Sequence, residues 1–126
     1  MARSLHDLCK QIVETDDSIR FVGIPNKFGK KIVSHYRNGL VPLLTEYESE
    51  LYAVESVLRM NTRMDMESKL GKPIYSFTLY EKVKRATILL ENKDHPIMMI
   101  SFDITSNHED IILNKIMPLL KNIFSK

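Results

Sequence analysis

The segment Ile97-Met98-Met99-Ile100-Ser101-Phe102-Asp103-Ile104 constrains the fold more than any other part of this chain. Read as an extended strand, it puts Ile97 and Met99 on one face and Met98, Ile100, Phe102 and Ile104 on the other. A strand that is apolar on both faces belongs in the middle of a sheet, with other elements covering it from both sides. The segments before it are joined by short polar loops, Glu81-Lys82-Val83-Lys84 and Asn92-Lys93-Asp94-His95-Pro96, of hairpin length. Two further strands, 74–80 and 85–90, therefore run antiparallel to it. Upstream, 19–24 and 31–37 form another hairpin around Pro25-Asn26-Lys27-Phe28-Gly29.

Three helices complete the pattern. The first opens at Ser4 with Asp7 three residues on, carries Leu5, Leu8, Cys9 and Ile12 on one face, and ends at Thr15-Asp16-Asp17-Ser18. The second opens on a T-x-x-E capping box, Thr45 and Glu48, and stops at Gly71. Its length, about 25 residues, exceeds the usual helix, and Asn61-Thr62 is the place where a break is expected. The last opens at Ser106 with Glu109, presents Ile112, Ile116, Leu119 and Ile123 on one side, and should kink or restart at Pro118.

The expected architecture is a single α+β domain spanning 1–126, with element order α-β-β-α-β-β-β-α. Its five-stranded antiparallel sheet should run in the order 2-1-5-4-3, with helices on both faces.

That order of elements resembles the roadblock/LC7 superfamily, within the wider profilin-like and PAS-like group of folds. The runs Arg20-Phe21-Val22-Gly23-Ile24 and Gly29-Lys30-Lys31-Ile32-Val33 look like those of an archaeal family with this topology. The resemblance implies a non-catalytic homodimer that binds or regulates a small GTPase or serves as a scaffold. PAS-like relatives would instead imply a small-ligand sensor, with Tyr75, Phe77, Leu79, Met98, Met99 and Phe102 as candidate pocket residues. The single long helix between strands 2 and 3 favours the roadblock side.

The second helix carries two apolar stripes. Tyr47, Leu51, Val54 and Leu58 form one; Ala53, Val57, Met60 and Met64 form another, rotated by roughly 120°. One sheet face covers one stripe. The expectation is that Ala53, Val57, Met60 and Met64 meet a second copy of the chain, helped by the edge strand 74–80 with Tyr75 and Phe77. A covering loop or the tail of the helix is the alternative.

Charge is distributed unevenly although the net value is only +2. Arg20, Lys27, Lys30, Lys31 and Arg37 crowd the first hairpin with no acid between 18 and 42, whereas Glu46, Glu48, Glu50 and Glu55 open the second helix. The basic hairpin is the expected surface for a protein partner. The alternatives, less favoured, are that it touches nucleic-acid phosphates, with Phe28 and Tyr36 stacking on bases, or meets the acidic helix of another molecule. A solvated hairpin whose lysines discourage strand addition accounts for the same charges.

Nothing in the sequence assembles an active site or a cofactor site, and an enzyme is not expected. The lone Cys9 falls on the apolar side of its helix, and His108-Glu109-Asp110 sits where a helix N-terminus attracts acids. No phosphate loop, dinucleotide fingerprint or nucleophile elbow occurs among only four glycines. One cysteine, no apolar leader after Arg3 and no membrane-length apolar run predict a soluble cytoplasmic protein without a membrane partner.

Overall fold

The computed structural model describes residues 4–124. Helix α1 (Leu5–Val13) is capped by Ser4, whose Oγ accepts from the Asp7 amide at 3.0 Å. Strands β1 (Ile19–Ile24) and β2 (Val33–Tyr36) form the first hairpin. Helix α2 (Glu46–Met64) begins with the complete capping box, in which Thr45 and Glu48 each accept from the other's backbone N–H. A short helix α3 (Glu67–Leu70) follows and ends at Gly71 with φ +81°. Strands β3 (Tyr75–Leu79), β4 (Val83–Leu89) and β5 (Ile97–Asp103) then lead into the C-terminal helix.

The sheet order is β2-β1-β5-β4-β3 with every neighbouring pair antiparallel, as expected from the sequence. β5 is central and split between the two faces. Met98, Ile100 and Phe102 pack with Leu8, Ile12, Ile112 and Ile116 beneath α1 and the C-terminal helix. Ile97 and Met99 pack with Ala53, Val57 and Met60 beneath α2. Ile104 lies beyond the strand and is exposed, so the second apolar face ends at Phe102.

Two helix boundaries differ from the expectation. The long helix breaks after Met64 rather than near Asn61-Thr62, where Asp65 and Met66 donate to Thr62 and Arg63 and tighten the last turn. The last helix begins one residue later than expected, because the Ser106 amide is engaged by Asp103 in a turn and Asn107 supplies the cap. This helix has three parts: α4 (His108–Ile111), a wide turn over Ile112–Ile116, and α5 (Met117–Phe124). Met117 donates to Ile112, five residues back. The widening directly precedes Pro118, which has no N–H to return to Asn114, so the expected kink takes this form.

Candidate interaction surfaces

The turn between β1 and β2 is built by Asn26. Its Oδ1 accepts the amides of Phe28 and Lys30, and its carbonyl accepts that of Gly29. Gly29 has φ +79° and lies directly against α2: a Cβ there would stand 2.5 Å from the Val54 Cα. This contact sets the basic turn beside the acidic start of α2. Lys30 Nζ is 3.7 Å from Glu50 Oε1, so the basic hairpin and acidic helix, whose meeting between molecules is one alternative, also touch within one chain.

The five basic residues do not form one patch. Lys27, Lys30 and Lys31 surround the turn, with the Lys27 ammonium 5.4 Å from the exposed Phe28 ring. Arg20 and Arg37 are at the opposite end of the hairpin, both on Asp103, at 3.4 and 2.8 Å. The Arg37 hydrogen bonds are the main reason the Asp103 carboxyl lies below its usual range. Tyr36 tilts against Phe21 with ring centroids 4.8 Å apart, so it is not open for stacking beside Phe28. Phe28 at the turn and Tyr36 against Phe21 therefore do not stand side by side as one stacking platform.

α2 is rotated so that the stripe expected to face outward meets the sheet. Ala53, Val57 and Met60 are buried against Phe21, Ile97 and Met99, and Met64 packs partly on the same cluster. Ala53, Val57 and Met60 are therefore core within one chain, and Met64 stands half-buried at the margin of that core. The outward stripe is Tyr47, Leu51 and Leu58, exposed by 69%, 48% and 59%, with Val54 held beneath the hairpin turn. Periodicity reveals two stripes but not the rotation of the helix. That rotation follows from the Gly29 contact on one flank and the Tyr52–Tyr80 hydroxyl contact, 3.3 Å, on the other.

β3 is an edge. Tyr80 donates to Val83 and Leu89 donates to Ile74, so even-numbered residues of this segment bond to β4. In an antiparallel ladder the alternate residues, Tyr75, Phe77 and Leu79, then turn their N–H and C=O groups away from the sheet. The Tyr75 side chain packs on the core and Phe77 stacks on His108 at 3.8 Å, so what these two offer outward is backbone. Ile74 and Leu79 are exposed at the two ends of the edge.

None of the residues expected to line a ligand pocket borders the cavity at the start of α2. Met98, Met99 and Phe102 are solid core. A cavity of about 470 Å³ lies elsewhere, below the first turns of α2, among Phe21, Tyr36, Leu43, Tyr52 and Arg85. Arg85 opens the strand expected over 85–90, next to the polar loop Glu81-Lys82-Val83-Lys84, and nothing local marks it as a site residue. The alternation Val83, Arg85, Thr87, Leu89 nevertheless assigns it to the α2 face of β4.

Cys9 is fully buried, donates weakly to the Val33 carbonyl, and has its thiol pKa pushed up to about 12 by burial, which suits a packing role. Among the described residues no three His, Cys, Asp or Glu side chains gather as metal ligands, and no helix is long and apolar enough to cross a membrane.

No family model matches the chain, and no curated protein resembles it in sequence. Its fold is nevertheless shared by solved structures. The gliding protein MglB from Thermus thermophilus superposes with a TM-score of 0.70 at 8% identity, covering 99% of this chain and 92% of that one. A Roadblock/LC7 domain from Streptomyces avermitilis gives 0.71 at 8% identity, covering 96% and 95%. An MglB structure with a tetrameric arrangement gives 0.69 at 10% identity, covering 98% and 93%. At these identities the likeness is one of fold. The chain has the Roadblock/LC7 fold, as the order of its elements suggested.

Proposed function

We propose that this Roadblock/LC7-fold chain is a non-catalytic regulatory module that forms a homodimer through β3 and offers the outer stripe of α2 to a protein partner, a small GTPase being the candidate. The observation that carries this reading is the unpaired β3 edge, flanked by exposed Ile74 and Leu79. An open edge is a template for another strand, and two-fold pairing with its own copy would satisfy Tyr75, Phe77 and Leu79 together. The flank of α2 that carries Tyr52 also carries Glu48 and Glu55 in its first half and Arg59 and Arg63 in its second. Two such flanks meeting antiparallel would bring opposite charges together. The tetrameric arrangement described for MglB supports self-association of this fold.

Light scattering on the purified chain should give twice 14.7 kDa. Leu79→Pro removes an outward-facing donor without touching the β4 ladder, so it should give a folded monomer of unchanged circular dichroism. A monomeric parent, or a dimeric Leu79→Pro, overturns the dimer.

The partner surface is tested separately. Leu51→Glu with Leu58→Glu should keep the parent mass and lose binding to purified small GTPases from the same cells, measured in both nucleotide states by calorimetry. GTPase binding that survives the double substitution refutes the α2 surface. Absence of binding by the parent refutes the GTPase.

A further inference from the structure

We infer that the cavity beneath the first turns of α2 binds a small amphipathic organic acid, whose carboxylate pairs with Arg85 and whose apolar body fills the space under Leu43 and Tyr36. This inference does not depend on the dimer or on the GTPase.

Arg85 is the reason the site calls for an anion. Its Nε is enclosed and has no hydrogen-bond partner, and no acid lies within ion-pair distance of it among the described residues. Its guanidinium carbon is 4.2 Å from the Tyr52 ring centroid and 5.6 Å from that of Phe21. Rings stabilise the charge through their faces but accept no conventional N–H bond, so Nε stays unspent and no acid among the described residues takes the remaining donors. Guanidinium does not shed its proton at any ordinary pH, and burying it without a carboxylate is costly. Burial acts on it as expected, shifting its pKa downward against weaker support from the neighbouring tyrosines.

The other charges at the cavity do not supply that counter-ion. Arg20 is engaged by Asp103. Lys82 and Glu81 are exposed at the mouth, where their opposite charges face water. Tyr52 has its hydroxyl pKa pushed up to about 12, first by burial and then by its bond to Tyr80, so it stays a neutral donor beside Arg85. A carboxylate entering here would find a bidentate fork and a phenol, both unmet by acids of the protein.

Shape selects the rest of the ligand. A volume of about 470 Å³ lies within the range of small-molecule sites, and Leu40, Leu43, Leu44, Val83 and Tyr36 make most of the wall apolar. An inorganic anion would leave that wall wet, and a neutral hydrocarbon would leave Arg85 unpaired. A molecule with an acidic head and an apolar body satisfies both. Leu43 is exposed by 58% in the loop that leads into α2, so an occupant would also cover a side chain now in water.

The test uses three organic acids, 4-phenylbutyrate, hexanoate and indole-3-acetate, with 4-phenylbutan-1-ol as neutral isostere and inorganic phosphate as bare anion. Binding is followed by calorimetry and by amide shifts in the ¹H–¹⁵N spectrum. At least one acid should saturate at millimolar concentration or below and shift the amides of Arg85, Leu43 and Ser101. The alcohol and phosphate should bind at least about tenfold more weakly than that acid. Arg85→Met should fold with a melting temperature no lower than the parent, lose at least about tenfold in affinity for the acid, and keep its affinity for the alcohol. Should Arg85→Met not fold, Leu43→Asp is the deciding variant, since it should weaken both acid and alcohol. The inference is overturned if no acid binds, if acid and alcohol bind alike, if Arg85→Met binds the acid as tightly as the parent, if Leu43→Asp leaves acid binding unchanged, or if the shifts fall elsewhere.

Discussion

Met60→Glu should strip the chain of a large part of its stability at neutral pH. Met60 is 1% exposed and lies between α2 and the sheet, against Phe21, Val57 and Met99. A carboxylate there must either stay charged without a partner or take up a proton at a cost in pH-dependent free energy, and it also loses the packing of the thioether. Together these reach about 4 kcal/mol or more, comparable with the total stability of about 5–15 kcal/mol for a domain. Met60→Leu, which keeps the apolar volume, should cost less than about 1.5 kcal/mol. Urea denaturation followed by circular dichroism distinguishes the two substitutions. A folded Met60→Glu with native stability would mean that α2 is rotated and that Met60 faces out, as the interface expected from the sequence required.

Gly29→Ala should be the costliest of the glycine substitutions at positive φ, at about 3 kcal/mol or more. The new methyl would stand 2.5 Å from the Val54 Cα and 2.7 Å from its N. Those are backbone atoms of a helix held by its own hydrogen bonds, so neither can swing aside as a side-chain tip would. The hairpin turn would have to lift off α2. Gly39 and Gly71 share the left-handed conformation, with φ +76° and +81°, but have nothing within 4 Å of an added Cβ. Alanine at either should cost only the backbone term, about 1–2 kcal/mol. The difference between Gly29→Ala and Gly39→Ala in chemical denaturation therefore isolates the contact from the conformation. Equal losses would refute the close approach of turn and helix.

Both predictions rest on the placement of α2, where sequence reading and structure part company. Strand order was legible because β5 carries apolar groups on both faces and the loops around it are too short for anything but hairpins. The helix starts were legible where a side chain serves its own backbone, at Ser4 and Thr45. At Ser106 the same pattern misled, because the turn from Asp103 competes for that backbone and moves the cap to Asn107.

The candidate sites depended on distances across the chain, which periodicity does not encode. Arg20 and Arg37 read as free cations because their acid, Asp103, is more than sixty residues away in sequence. Arg85 carries no local sign of a site because its neighbours Phe21 and Tyr52 arrive from other elements.

The chain by itself determined which segments are helix and strand, which strand is central, and that α2 is apolar on two sides. These follow from local hydrogen bonding and from the period of burial, both properties of consecutive residues. Only the tertiary structure decided which side of α2 meets the sheet, which arginines are neutralised, and where a cavity remains. Those outcomes depend on packing between residues far apart in sequence, and there the approach of Gly29 to Val54 on one flank and the Tyr52–Tyr80 contact on the other favour one rotation of the helix over another of similar apolar content.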